Sequence, residues 1–405
     1  MIQLLRPPEA DGSLLPGRTR FFSPYRGIEY VRAALRAWAS GLPVRLFAMA
    51  LLLMTGLPVG ATSYSFPGVL PAGCSGGQGT YRCGAVTLGA DDSITLADAR
   101  PTLISFSGEF MADADTRINE SGAAQLTLAV DGLTTIGADS SVKANINSVG
   151  VVSLGARVHY IGDIKTPNAV INIGDLNYLL GNLSTGSGAI NIGAGSTVDG
   201  SIRTAVAGVV NLGANSKVTG TITTLSGAIN TGAYSNVVGS LEDLLAGVIT
   251  IGEGATVGGN IKTVSGAINI GAGSRVEGSL SDSIAGAVTT GAKSYVGGGI
   301  NTNSGAVTTG DRSFVGASIC TGTAGAITVG DNSTVGGNLH TNAGAITVGD
   351  NSTIGGTVVA VEGAVTVAAS STYGTTTSAL GCGIPQLTVT RTVKSREWRQ
   401  LYMRR

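Results

Sequence analysis

Residues 325–356 read GAITVGDNSTVGGNLHTNAGAITVGDNSTIGG, in which the decapeptide GAITVGDNST occurs twice with a spacing of 19 residues. Ten copies of this repeat open on a glycine, at Gly188, Gly208, Gly227, Gly247, Gly266, Gly286, Gly305, Gly325, Gly344 and Gly363. Weaker copies open at Gly132, Gly150 and Asn168, which makes about thirteen units in succession. Repetition at a fixed period of this size is typical of proteins built as stacked repeats.

One unit, GVITIGEGATVGGNIKTVS at residues 247–265, shows what each repeat builds. Ile249 and Ile251 alternate with Thr250, and two further apolar positions follow between glycines, which is the period-2 pattern of short strands joined by turns. Strands this short bury a face only by lying in register on the same strand of the next unit. We therefore predict an all-β fold, a single-stranded parallel β-helix of about thirteen coils of 18–20 residues with three short strands per coil. The glycines are expected at corners, where a positive φ or a close backbone approach is needed.

The chain divides into four predicted segments: an export signal with an extended N-terminal region (1–61), a disulfide-containing cap with the first coils (62–131), the β-helix repeats (132–380) and a basic tail (381–405). In the first segment, arginines precede an apolar run from Leu46 to Leu57, and Val59-Gly60-Ala61 follows, which is the order found in a secretory signal. The run covers about half of the roughly 20 residues that a membrane span needs. We expect cleavage after Ala61; an uncleaved anchor and a start codon placed too far upstream are the alternatives that account for residues 1–43.

Export makes disulfides the expected state of the four cysteines. Cys74 and Cys83 close the short loop CSGGQGTYRC and are predicted to pair. Pairing of Cys320 with Cys382 requires the C-terminal segment to fold back over about three repeats, and the sequence leaves it open. The stretch LPAGC ending at Cys74 is similar to a lipobox, but Pro71 stands where an aliphatic residue belongs, so lipidation is not predicted.

Stacking in register converts each column of the repeat alignment into a row of side chains along the helix axis. The central residue of the first strand forms such a structural ladder of Asn and Thr: Asn191, Asn211, Asn230, Thr250, Asn269, Thr289, Thr308, Thr328, Thr347 and Thr366. We expect it to form hydrogen bonds along the axis, as in cross-β stacks. The residue before Val in S-x-V varies from unit to unit and is expected to form a solvent-exposed face.

Metal and catalytic sites find little support in the sequence. Asp311, Asp331 and Asp350 are weak metal candidates, because carboxylates in one column about 4.8 Å apart repel unless a cation such as Ca²⁺ bridges them. The simpler interpretation is three solvated aspartates that bond their own turn backbone. His159 and His340 are the only histidines, and spacings of 19 and 20 disrupt the 18-residue phase of a hexapeptide acyltransferase in which His340 would act as base. Cys320 has no neighbouring base. We predict no catalytic residue and no cofactor.

Charge is concentrated at the two ends of a chain whose formal net charge is zero. The repeats carry no basic face, which excludes nucleic acid as a predicted partner, and no small-molecule substrate is indicated. The tail carries Trp398 among arginines. Capping of the last coil, contact with anionic lipid, binding of a partner and plain terminal disorder are the alternatives for it.

Residues 63–96, SYSFPGVLPAGCSGGQGTYRCGAVTLGADDSITL, resemble the N-terminal portion of MSHA-type pilus-biogenesis (MshQ-like) proteins through the F-P-G, C, Y-x-C-G-A-V-T-L-G pattern at Cys74 and Cys83. The coils are similar to those of bactofilins, a polymer-forming cytoskeletal family of right-handed β-helices. Together the two resemblances cover residues 63 to about 380. They imply a right-handed winding, association with pilus or surface assembly, and polymerisation.

From these observations we predict an exported, non-enzymatic structural or scaffold protein of the cell envelope, located in the periplasm, on the outer surface or outside the cell. Its expected partners are itself, end to end, or components of a pilus or of the cell surface. A β-solenoid that binds ice or polysaccharide is the alternative from another class, and a hexapeptide-type acyltransferase is a further one.

The export signal makes a direct prediction. Signal peptidase should remove residues 1–61, because small residues at Val59-Gly60-Ala61 fit its site, so the exported protein should begin at Thr62 by N-terminal sequencing and intact mass. Replacing Ala61 with Phe should block cleavage and leave the longer chain attached to membranes. An exported wild-type chain that retains residues 44–61 would contradict the prediction.

Overall fold

The computed structural model describes residues 60–122 and 124–374. The chain divides into two compact units, Met1–Gly60 and Ala61–Arg405. Apart from Gly60, the described residues belong to the second unit. The predicted signal sequence up to residue 59, Cys382 and the tail with Trp398 lie outside the described residues.

Three sheets make up the described part of the chain, and each coil contributes one strand to each of them. Sheet 1 contains the GA[IV] strands: Val86–Leu88, Phe110–Ala112, Thr134–Ile136, Val152–Leu154, Ile171–Ile173, Ile190–Ile192, Val210–Leu212, Ile229–Thr231, Ile249–Ile251, Ile268–Ile270, Val288–Thr290, Val307–Thr309, Ile327–Val329, Ile346–Val348 and Val365–Val367. Sheet 2 contains the S-x-V strands: Ser63–Phe66, Ser93–Leu96, Arg117–Ile118, Ser141–Lys143, His159–Ile161, Tyr178–Leu180, Thr197–Asp199, Lys217–Val218, Asn236–Val237, Thr256–Val257, Arg275–Val276, Tyr295–Val296, Phe314–Val315, Thr334–Val335, Thr353–Ile354 and Thr372–Tyr373.

Sheet 3 completes each coil with the strands Ser75–Gly77, Thr80–Cys83, Thr102–Phe106, Leu126–Val130, Asn145–Ser148, Ile164–Thr166, Leu183–Thr185, Ile202–Thr204, Ile222–Thr224, Leu241–Asp243, Ile261–Thr263, Leu280–Asp282, Ile300–Thr302, Ile319–Ala324, Leu339–Ala343 and Val358–Glu362. Ser75–Gly77 runs antiparallel to Thr80–Cys83. In the rest of the stack each strand pairs in parallel with the equivalent strand of the next coil; Ile249, for example, lies between Ile229 and Ile268. The predicted parallel β-helix is confirmed, with fifteen strands in sheet 1.

The first two coils are longer than the sequence pattern predicts. Val86 pairs with Phe110, and Phe110 with Thr134, so each of these coils spans 24 residues rather than 18–20. Aromatic rings fill the interior of these longer coils: the ring centroids of Phe106 and Phe110 lie 4.7 Å apart. These coils precede the thirteen repeats, and they share no repeat motif that would reveal their length.

The N-terminal end of the stack is closed. Phe66 and Tyr81 pack edge to face at 4.8 Å under the first coil, and both are buried. A disulfide joins Cys74 to Cys83, as the sequence predicts, and ties down the hairpin that covers the first edge of sheet 3. A large aromatic core and a covalent link therefore take the place of a preceding coil.

The opposite end of the described stack is open to solvent. Val365 is 45% exposed, although the residue it pairs with in the preceding coil, Ile346, is fully buried. Because each coil buries its apolar side chains partly against the next one, the last described coil, Val358–Tyr373, presents an uncovered apolar surface.

The corner at which close backbone contact requires glycine differs from the corner at which residues adopt the left-handed conformation with φ near 60°. A Cβ added to Gly266, at the corner between sheets 3 and 1, would lie 1.7 Å from the carbonyl oxygen of Gly247, so close backbone approach excludes any side chain there. The left-handed position lies in the turn between sheets 1 and 2, where several coils use other residues, among them Tyr234, Asn332 and Asn351 at φ of 53–57°. Asparagine tolerates this region best after glycine, which explains the D-N-S sequence of that turn.

A matched pair of isoleucines tests the dependence on stacking. Ile268→Ala should lower the free energy of unfolding by about 2–5 kcal/mol, because this fully buried side chain packs against both neighbouring coils. Ile284→Ala, at a site that is 54% exposed, should change it by no more than about 0.5 kcal/mol. Urea denaturation followed by circular dichroism measures both, and equal effects would contradict the burial seen here.

Candidate functional site

The predicted Asn/Thr ladder lies in register on the outer face of sheet 1, but only its asparagine part is hydrogen-bonded along the axis. Asn211 Nδ2 donates to Asn191 Oδ1 at 2.8 Å, and Asn230 Nδ2 donates to Asn211 Oδ1 at 2.9 Å. The ladder extends one rung further back than predicted, since Asn191 donates to Asn172. An amide both donates and accepts across the coil spacing, so four asparagines form a continuous chain of bonds.

From Thr250 to Thr366 the same column has no rung-to-rung hydrogen bond within the described coils, which corrects the expectation of a ladder bonded throughout. Side-chain reach does not account for this, since Thr166 Oγ1 donates to Thr185 Oγ1 of the next coil at 3.0 Å on the inner face of sheet 3. Each strand of sheet 1 is three residues long with buried ends, so Thr290 and Thr309 point inward while Thr289 and Thr308 point out. Sheet 1 therefore presents one threonine column, whereas an ice-binding face needs two.

The aspartate column is used by the backbone of the stack. Asp311 Oδ1 accepts the N–H of Asp331 at 3.0 Å, and Asp331 Oδ1 accepts the N–H of Asp350 at 2.8 Å. Each carboxylate therefore bonds the turn of the next coil, not its own turn as the sequence suggested. Across residues 60–122 and 124–374, no three His, Cys, Asp or Glu side chains lie in an arrangement that could hold a metal ion.

Neither histidine faces a catalytic partner. His159 stacks on Tyr178 at 5.4 Å between ring centroids, and His340 Nε2 lies 3.0 Å from the side-chain oxygen of Asn342. Cys320 is buried in the strand Ile319–Ala324, in register with His340 of the next coil; the question of its pairing with Cys382 concerns a residue outside the described part. Within the described residues, the hydrogen-bonding partner of His340 is therefore the side-chain amide of Asn342.

Sequence reasoning missed a row of buried serines that precedes sheet 2 in most coils. Ser333 Oγ donates to the Gly310 carbonyl and accepts the N–H of Ser313, and Ser352 makes the same two contacts with Gly330 and Ser333. Each hydroxyl thus joins the turn of its own coil to the turn of the preceding one. The signal was present as the recurring S of S-x-V, which residues such as Asn177 and Ala255 replace in some coils, but a serine is equally consistent with an exposed turn residue.

The outer face of sheet 2, expected to be an undistinguished solvated surface, carries a short stack of large side chains. The Arg275 guanidinium lies 3.9 Å over the Tyr295 ring, and Tyr295 stacks on Phe314 with centroids 5.0 Å apart. Arg275 is also paired with Glu277, and this hydrogen bond raises the pKa of the guanidinium above its usual value. The rings cover one another's faces, so the stack supports neighbouring coils.

Electrostatic features on the surface are local. A bidentate pair joins Arg157 to Asp139, with both N–O distances 2.6 Å, and this hydrogen bonding lowers the pKa of the Asp139 carboxyl. Two shallow, open clefts lie on the N-terminal coils, one of them beside Lys143 and Asn145. Neither cleft is lined by a histidine or by a carboxylate.

No protein-family model, no curated protein and no solved structure matches this chain. Over the described residues, none of the secondary structure is a helix with the length and hydropathy to cross a membrane.

The two halves of the Asn/Thr column make a matched test. Asn211→Ala should lower the free energy of unfolding by about 1–2 kcal/mol, because it removes two partly buried amide hydrogen bonds from the middle of a chain of four asparagines. Thr308→Ala, in the same column without such bonds, should cost about 0.5 kcal/mol or less. Urea titrations compare the two; a larger loss for Thr308→Ala would show that the asparagine bonds contribute little.

Proposed function

We propose that this chain is an exported, non-enzymatic structural rod of the cell envelope, whose function lies in its length and rigidity. The observation that carries the proposal is the continuous parallel stacking of the coils, from the cap at Phe66 and Tyr81 to Val358–Tyr373, with a local register shift between Thr321 and Ala324. At the spacing of paired strands, about 4.8 Å, fifteen coils make a rod on the order of 70 Å long.

The use of the polar side chains supports a structural role. The asparagine ladder, the aspartate column and the buried serines all bond the neighbouring coil, so residue types that carry chemistry in enzymes are engaged in stacking. A solenoid of this kind gains stability from nearest-neighbour interfaces, and a row of bonds along the axis resists bending and local unwinding.

Export is supported by the disulfide between Cys74 and Cys83, since such bonds persist in oxidising compartments. The resemblance of residues 63–96 to MshQ-like proteins and of the coils to bactofilins favours a place in pilus or surface assembly. The exposed edge strands of the last described coil, Val358–Tyr373, offer a surface for end-to-end association.

Removal of whole coils tests the proposal. Deleting residues 266–304 joins Ser265 to Gly305 and removes two complete coils, one of 20 residues and one of 19, so the phase of the repeat is preserved. The variant should stay folded and be about 10 Å shorter by small-angle X-ray scattering, because each coil contributes about 4.8 Å. Unfolding of this variant would argue against independent stacked coils.

Complementation of a strain that lacks the protein gives the functional half of the test. The shortened rod should change the length or display of surface structures seen by electron microscopy, whereas the point variant His340→Ala should restore them fully. Loss of function in His340→Ala with the fold intact would favour an enzyme and overturn the proposal.

A further inference from the structure

The corner between sheets 3 and 1 carries a stripe of exposed apolar side chains over five consecutive coils. Its members are Val206, Leu225, Leu244, Leu245, Val264 and Ile284, and we call this set the apolar corner. Five of them are 36–57% exposed, and Val264 is half-buried. The corner glycines of these coils lie directly on one another, with Gly247 over Gly227 and Gly266 over Gly247, so the six side chains form one continuous line.

The stripe is continuous only over these coils, although single exposed valines, Val149 and Val361, occupy the same corner elsewhere. The preceding corner is Gly186-Ser187, and the following ones carry Asn303-Ser304, Thr323 and Asn342. Nothing in the stacking itself requires apolar residues here, because the coils with the polar corners Gly186-Ser187 and Asn303-Ser304 keep the same register in sheet 3 and in sheet 1. An exposed apolar surface of this extent on a folded protein marks an interaction site.

Buried carboxylates hold the apolar corner in shape. Asp243 accepts hydrogen bonds from Leu245 N at 3.2 Å, Gly227 N at 3.2 Å and Thr224 Oγ1 at 2.8 Å. Asp282, two coils further along the chain, accepts equivalent hydrogen bonds from Ile284 N at 3.2 Å, Gly266 N at 3.1 Å and Thr263 Oγ1 at 2.9 Å. A buried charge is costly unless it is fully hydrogen-bonded, and here three donors surround each carboxylate. Leu245 and Ile284 are therefore presented by a rigid backbone, which reduces the entropy lost on binding.

We propose that the apolar corner is the contact surface between two copies of this chain, which pair side by side along their rods through a two-fold axis. The area fits: the six side chains expose on the order of 500 Å² per copy, so pairing buries about 1,000 Å² of apolar surface, where specific interfaces begin.

The spacing of the corner also favours a second copy. Corners with two residues between the buried Thr or Asp and the glycine, as at Leu225 and Val264, alternate with corners of three, as at Val206, Leu245 and Ile284. The apolar side chains therefore lie along a straight line in which the corner length repeats every two coils. A second copy of the chain presents a surface with the same repeat. A two-fold contact requires a surface that fits itself, and this series of corners is symmetric about Leu244-Leu245.

Charge next to the stripe does not oppose pairing. The outward residues of the adjoining sheet 3 strands include Arg203, Glu242 and Lys262, and Glu242 lies in register beside Lys262. Mixed signs along this edge avoid the repulsion that two like-charged surfaces would meet. The inference is independent of the proposed function, since a rod that stays single can still serve as a scaffold.

Sedimentation equilibrium of the full exported chain tests the pairing. We expect a dimer whose dissociation constant rises at least about tenfold in the double variant Leu225→Asp/Leu245→Asp, since the pairing would bury these two charges. The control Asn303→Asp, on a polar corner, should leave the dimer unchanged. Circular dichroism should show the same fold in both variants. The urea midpoints are compared below the wild-type dissociation constant, where pairing no longer adds to the stability of the wild type.

Cross-linking locates the contact. Leu245→Cys, at the centre of the stripe, should form a covalent dimer with a short bis-maleimide, whereas Glu253→Cys, in the turn between sheets 1 and 2, and the wild-type chain should not. Mixed Val206→Cys and Ile284→Cys chains cross-link to each other if the rods run antiparallel, and each cross-links to itself if they run parallel; both results support this interface.

Three results would overturn the inference. The first is a chain that is monomeric at all concentrations and whose Leu245→Cys variant does not cross-link. The apolar corner would then contact a different partner, or residues 375–405, instead of a second copy. A dimer that survives Leu225→Asp/Leu245→Asp and cross-links through Val365→Cys would be end to end. A shift equally large in Asn303→Asp would show that the charge acts elsewhere.

Discussion

In-register parallel pairing between successive coils is the interaction on which the rest of this structure depends. Strands of two to six residues have no stable partner inside their own coil, so the backbone hydrogen bonds in the three sheets run mainly between coils. Register requires that corners stack as closely as strands do. Glycine at Gly266 and its equivalents follows from that requirement, since the carbonyl of the neighbouring corner occupies the space of a Cβ. The buried serines satisfy the same turns by bonding a carbonyl and an amide of the coil before.

This constraint also explains why residue types that often bind metals or take part in catalysis, such as Asp and Asn, form hydrogen bonds between coils here. A carboxylate such as Asp331, placed in the same turn of each coil, lies next to a backbone N–H of the following coil and accepts it. Asn211 meets an identical amide above and below, so a chain of bonds forms without any ligand. A residue that recurs in every repeat lies next to copies of itself in the neighbouring coils. A catalytic site instead needs side chains of different chemistry, such as an acid and a base, close together. The described coils offer the first arrangement, which favours a mechanical role.

The exceptions to the periodicity are the places where the rod differs along its length. Aromatic packing of Phe66 on Tyr81 and the Cys74–Cys83 disulfide close one end, while Val365 lies in an open coil at the other. Between them, the apolar corner is a run of five successive apolar positions in a row that is mostly polar over the other described coils, where Val149 and Val361 are single exceptions. A repeat that is needed only for stacking would have no reason to change there, which is why the corner is informative about a partner.

The sequence by itself determined the phase of the repeat, the number of regular coils and the bond between Cys74 and Cys83, because each follows from spacing along the chain. It did not reveal the 24-residue coils, whose length depends on how Phe106 and Phe110 fill the first turns. Nor did it separate the bonded asparagines from the unbonded part of the same column, because residue type alone does not decide it: within the described coils Asn269 is not bonded along this column, and Thr166 does bond Thr185 of the next coil elsewhere. The apolar corner was hidden for a related reason. Val206, Leu225, Leu245, Val264 and Ile284 follow one another at about 20 residues in corners of unequal length, and only the stacking of those corners makes them neighbours.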